Sequence, residues 1–214
     1  MRGIHAAATR TAEWLASEVP AGLARIRASE DLDPADLPSP EHVWGHDINQ
    51  LGIDDWPAVL VVPGQQRGMQ YLDALDGGGE LYAVTYSLIV YGWVRAEDYE
   101  ATARIRDRYG LAIREALLTR KQLSAARAWD DTTPRTVEAW VKPETIREDY
   151  GPPTSDGRRT IAGVEVRFDV TVVEELAGPP VLGEAAAPVA NTVTPEPTST
   201  GGDTRTLPPH PALA

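Results

Sequence analysis

The stretch Leu81-Tyr82-Ala83-Val84-Thr85-Tyr86-Ser87-Leu88-Ile89-Val90-Tyr91-Gly92-Trp93-Val94 constrains the fold more than any other part of the chain. It is rich in β-branched and aromatic side chains, has no proline and a single glycine, and so predicts a strand. Taken alternately, Tyr82, Val84, Tyr86, Leu88, Val90 and Val94 make one wholly apolar face, while Leu81, Ala83, Ile89, Tyr91 and Trp93 make the other only partly polar. A strand with one solvated face alternates cleanly between apolar and polar residues. Both faces of this one require cover, which predicts a central strand, or a strand whose second face is closed by another chain.

The segment Glu97 to Arg120 supplies one cover. Tyr99, Ile105, Tyr109, Ala112, Ile113, Ala116 and Leu117 recur at helical spacing, with Arg104, Asp107, Arg108, Arg114 and Glu115 on the remaining surface. Acids at Glu97 and Asp98 and bases at Arg120 and Lys121 suit the two ends of the helix dipole. Residues 4 to 28 predict a second helical segment through Ile4, Ala7, Ala8, Thr11, Trp14, Leu15, Val19, Leu23 and Ile26, interrupted at Pro20. Two short helices or one kinked helix satisfy that pattern.

Ser29 to Gln50 is acidic and punctuated by prolines, and reads as a connector. Pro57 to Pro63 is a short apolar strand fenced by prolines, expected at a sheet edge or ending there. Gly64 to Gln70 and Asp76 to Gly79 read as loop and turn. Lys121 to Asp131 is irregular or a further short helix. Thr136 to Lys142 alternates as a strand that Glu144 to Tyr150 extends or pairs with, Gly151 to Gly157 is a loop, and Val164 to Val172 is an amphipathic closing strand in an antiparallel hairpin with the strand before the loop. These elements make an α+β fold: a small, mainly antiparallel sheet packed by an N-terminal helix and one long central helix. That domain covers residues 1–176. Residues 177–214, rich in proline, Ser, Thr, Gly and Ala, form a disordered or extended C-terminal tail, because they bury too little apolar surface to offset the entropy of ordering.

Composition narrows function mainly by exclusion. A formal charge of -12 argues against a surface that grips phosphates, since such binding needs clustered Lys and Arg. Glu184, Glu196, Asp203 and Arg205 sum to -2, which leaves -10 on residues 1–176. The chain has no cysteine, which removes disulfides, thiolate metal sites and a cysteine nucleophile. The N-terminus lacks the unbroken apolar region of a signal peptide, and no apolar run is long enough to span a bilayer. The expectation is a soluble protein made in the cytoplasm, with no membrane partner. One Phe against six Trp and seven Tyr puts much of the aromatic area on rings with a polar tip, a composition frequent at wet contacts between proteins.

Catalytic chemistry finds few candidates. His42-Val43-Trp44-Gly45-His46-Asp47 is the arrangement most like a metal site, but an i, i+4 histidine pair needs a helix, and Gly45 and the nearby prolines oppose one. A metal-dependent hydrolase using His42, His46 and Asp47 is the enzyme alternative, against loop histidines packed beside Trp44. Asp76-Gly77-Gly78-Gly79-Glu80 lacks the ending of a phosphate loop. The acid pairs Asp54-Asp55, Asp130-Asp131 and Glu174-Glu175 have the donors for a divalent cation but read as solvated surface. No nucleophile elbow is present, and His5 and His210 lie at the termini. No cofactor, no metal and no enzymatic activity are expected. Arg104, Arg106 and Arg108, with Arg95 and Arg114, stand ready either to meet acids on a neighbouring copy or to pair within the helix with Glu97, Glu100 and Asp107.

The order of these elements resembles the tail terminator proteins of long-tailed bacteriophages, most clearly in Glu80 to Leu118, with the strand Tyr82 to Gly92 followed by the acidic helix start Glu97-Asp98. The resemblance implies a virion protein of the tail and neck that assembles with itself as a hexameric ring on the head-proximal end of the tail tube. Such a ring stops tube polymerisation and meets the tail tube protein and the head-completion proteins, with DNA passing through unbound. Tyr91, Trp93, Arg104 and Arg108 are the expected contact residues, chosen from their chemistry. Another neck connector or minor tail protein is the nearest alternative, and a monomeric adaptor that binds peptides at its sheet edge is a third.

Overall fold

A computed structural model describes residues 3–48, 52, 55–75, 79–119 and 139–176, all within the unit Met1–Pro180. The readings of Lys121 to Asp131, of the strand start at Thr136, of most of the Asp76 to Gly79 turn and of the tail 177–214 lie outside the described residues. So do Asp54, Asp130 and Asp131.

Among the described residues two helices and six strands follow one another as α1 (Gly3–Glu30), β1 (His42–Trp44), β2 (Ala58–Ala74), β3 (Glu80–Ala96), α2 (Tyr99–Thr119), β4 (Ala139–Tyr150), β5 (Thr154–Asp156) and β6 (Arg159–Leu176). The sheet order is β1-β2-β3-β6-β4, with β5 paired to β6. Among the described strands every ladder is antiparallel except the short parallel pair of β1 with β2. The architecture is α+β, as the residue pattern predicts.

The apolar stretch forms β3, and β3 is central: β6 flanks it from Ala96↔Thr160 to Glu80↔Leu176, and β2 from Ala58↔Trp93 to Ala74↔Glu80. One face lies under the helices. Val84, Leu88, Val90 and Val94 of β3, with Val164, Val166, Phe168, Val170 and Val172 of β6, are buried against Ile105, Tyr109, Ile113 and Leu117 of α2 and Leu15, Val19 and Leu23 of α1. Gly92 interrupts this apolar row because α2 comes close there. A Cβ at Gly92 would lie 3.0 Å from Val164 Cγ1 and 3.1 Å from Ile113 Cδ1.

Several boundaries differ from expectation, each for a packing reason. Pro20 neither ends nor divides α1, which runs unbroken from Gly3 to Glu30. An interior proline costs about 3 kcal/mol, and the buried side chains of Leu15, Val19, Leu23 and Ile26 on either side offset it. α1 ends at Asp31, whose φ of 54° lets Leu32 N–H reach back to Arg27 C=O. Asp98 caps α2 by accepting from Ala101 N–H at 2.7 Å, which leaves Tyr99 at the start of the helix 61% exposed rather than in the apolar stripe.

The strand fenced by Pro57 and Pro63 does not end at Pro63: it continues through Gly64 to Gln70, which read as loop, and ends at Ala74, with β1 paired to it only at Ala58–Leu60. The long ladder of β3 offers partners throughout, and register shifts between Pro63 and Gln66 and between Gln66 and Gly68 absorb the proline and glycines. His42 to Trp44, read as connector, pairs with β2 instead. β4 continues across Pro143, with residues 143–146 bulging opposite Phe168. The loop after Tyr150 contains β5, and β6 extends beyond Val164–Val172 at both ends.

Candidate assembly surfaces

Strand geometry sends the odd-numbered residues of β3 away from the helices. No described helix lies on that side. The register His42↔Ala58↔Trp93 and Trp44↔Leu60↔Tyr91 gathers four rings across three strands. Their covering effect is visible beneath them, where Ala58 is 0% and Leu60 4% exposed. The His42 and Trp44 rings are 5.0 Å apart. Tyr91 and Trp93 stack at 6.4 Å with planes 23° apart, and the Arg95 guanidinium lies 5.2 Å from the Trp56 ring. Trp93 leans across to β6, where its ring occupies the space of a side chain at Gly163: a Cβ there would sit 2.9 Å from Trp93 Cζ3.

A polar rim borders these rings. Arg167 pairs with Glu165. Burial first, then the Glu165 carboxylate, raises the Tyr91 hydroxyl above its ordinary pKa. Further along the same face the surface turns polar, with Thr85 Oγ1 2.9 Å from Thr171 Oγ1, Lys142 Nζ donating to Thr85 at 3.4 Å and Arg67 3.9 Å from Asp169. Half-buried rings with a polar surround have the anatomy of a protein contact.

The four expected contact residues do not come together. Tyr91 and Trp93 share the helix-free face, whereas Arg104 and Arg108 belong to the helical layer. Arg104 pairs along its own helix with Glu100. Arg108 reaches Glu30 at the end of α1 and is only 20% exposed. Arg106 binds Asp107 at 2.7 Å, donates to Gly151 C=O and lies over the Tyr150 ring. Arg114 holds Glu148 of β4. Arg106, Arg108 and Arg114 join elements of one chain.

The acid pair Glu174-Glu175 is divided by the strand that carries it, since consecutive residues point to opposite faces. Glu174 is turned inward and 6% exposed, where its Oε1 accepts from Gly3 N–H at 2.8 Å and from the Tyr86 hydroxyl at 2.8 Å. It thereby fixes the N-terminus of α1 to the sheet, a carboxylate at the positive end of a helix. Burial, then the hydrogen bond to Glu174, pushes the Tyr86 hydroxyl up to about 12.

His42 is a strand residue with Nε2 3.6 Å from Asp55, so the helical i, i+4 geometry with His46 does not form. His46 and Asp47 are exposed in the bend that follows. Among the described residues no group of three or more His, Asp or Glu is placed to hold a metal, and no helix is long and apolar enough to cross a membrane.

Sequence reading missed the end of the β2–β3 hairpin. Met69, Tyr71 and Leu72 are 54%, 51% and 45% exposed there, and Leu176 of β6 is 41% exposed. The available signal was Met69, Tyr71 and Leu72 themselves, large apolar residues within or beside a stretch that reads as loop. No protein-family model matches the chain, and no curated protein matches it.

Proposed function

We propose that this chain is a structural virion protein of a long-tailed phage, closing as a ring on the head-proximal end of the tail tube. There it ends tube polymerisation and presents a joining surface to the head-completion proteins. The observation that carries the reading is the aromatic face of Trp44, Tyr91 and Trp93, which the chain's own described helices leave uncovered. A second copy covers that face in a ring. The acidic body, at -12 overall, lets DNA pass without adhering. The protein acts by shape and contact and needs no cofactor.

The test is electron microscopy of lysates from the source phage with this gene disrupted, scoring tail length. Headless tubes of abnormal and variable length are expected. Tails of normal length would overturn the terminator reading.

A further inference from the structure

Two unlike surfaces lie at opposite edges of the sheet. The first is the end of the β2–β3 hairpin. Met69 and Tyr71 pair with Val84 and Tyr82 and so share the helix-side face, yet among the described residues the helical layer begins at Gly3, which is held at Glu174, while the strands run on past it. Tyr71 and Tyr82 pack edge to face at 5.7 Å, Glu80 accepts from the Tyr82 hydroxyl, and Asp73 and Glu175, both paired with Leu81, add two acids on the other face of the tip. Arg67, farther back, is directed to Asp169. The tip is apolar and negatively charged.

The second surface is a cleft of about 370 Å³ between the last turn of α2 and the bulge of β4, lined by Arg114, Leu118, Pro143, Ile146, Arg147 and Glu148. Its floor is apolar, and Leu118 is 41% exposed. Two arginines and one carboxylate line it, and that carboxylate, Glu148, accepts from Arg114 at 3.1 Å. Arg147 Nη1 is oriented by donating to the carbonyls of Glu144 and Ile146. The cleft is apolar and positively charged.

We infer that the hairpin tip of one copy docks in the α2–β4 cleft of the next. The charges are complementary. Because β2 lies toward one edge of the sheet and β4 forms the other, the contact is head to tail, the type that generates a ring when its rotation closes. The inference rests on the ring reading and adds to the aromatic face a second contact between copies.

The natural chain has no cysteine, so a cross-link can be placed cleanly. A full-length chain carrying Tyr71→Cys and Ile146→Cys has one thiol on each surface, and mild oxidation should join copies into covalent multimers longer than dimers. Docking raises the local thiol concentration, so these should form at least about tenfold faster than with Tyr71→Cys and Arg10→Cys, where the second thiol is on α1. Arg147→Glu should weaken assembly of the natural chain, and adding Asp73→Arg should restore it. If the two cysteine pairs react at equal rates, or Arg147→Glu leaves the oligomer intact, the tip–cleft contact is wrong while a ring built on other surfaces survives. If the natural chain remains monomeric at every concentration, the ring reading fails together with the contact.

Discussion

The two faces of β3 carry similar apolar content but have different fates. Toward the helices, Leu88, Val90 and Val94 are 0% exposed and belong to a core closed by the same chain. On the other side Ile89, Tyr91 and Trp93 remain half-buried, covered partly by neighbouring rings and partly by nothing described. The difference teaches where stability ends and association begins: the first face is an interior, the second a surface with the composition of an interior. Substitutions should separate the two, because losses in the core lower protomer stability, whereas losses on the other face lower assembly.

The largest effect is expected from Leu88→Ala, which leaves a cavity between β3 and the helices and should cost about 2–5 kcal/mol in chemical denaturation. Tyr86→Phe comes next on the helix side. Glu174 would lose the Tyr86 hydroxyl and keep the Gly3 N–H, and a buried acceptor deprived of a donor costs about 1–3 kcal/mol. Gly163→Ala probes the opposite face, where the new methyl would displace the Trp93 ring at a cost of about 1–3 kcal/mol. Trp93→Ser should change protomer stability less than Leu88→Ala but weaken self-association by about tenfold or more, as loss of a central aromatic anchor does. Protein concentration must be held fixed in these comparisons, because association adds to apparent stability. A Trp93→Ser protein that loses stability and keeps its oligomer would reverse the contrast between the faces.

A pH effect should sharpen the helix-side assignment. The Tyr86 and Tyr150 hydroxyls are each raised to about 12, chiefly by burial and then by the acids Glu174 and Glu148, and burial raises Tyr109 as well. Unfolded tyrosines ionise first, so stability from these groups is whole below about pH 10 and falls as the pH rises from there through the folded values. The Tyr86→Phe chain should lose less stability over that alkaline range than the natural one, measured by denaturant midpoints.

The central strand, the long helix and the hairpin of β4 with β6 were legible because alternation and helical spacing over many residues report burial directly. At Pro63 local reading ended a strand that the long ladder continues, whereas at Pro20 and Pro143 it left one element or two open and packing decides for one. His42 to Trp44 was illegible as a strand because three residues carry no period, and their pairing is set by β2. For the candidate surfaces, Tyr91 and Trp93 were visible in the odd positions of β3. The arginines of α2 were not separable by type, because their partners Glu30 and Glu148 are distant in sequence. The hairpin tip and the α2–β4 cleft are products of tertiary arrangement, and no local pattern encodes them.

Sedimentation of the purified full-length chain, from low micromolar concentration to its solubility limit and beside the Trp93→Ser variant, tests most directly whether the helix-free face is a contact between copies. A closed oligomer for the natural chain, shifted toward monomer by Trp93→Ser, is the expected result. A natural chain that stays monomeric throughout, or a variant that assembles equally well, would contradict it.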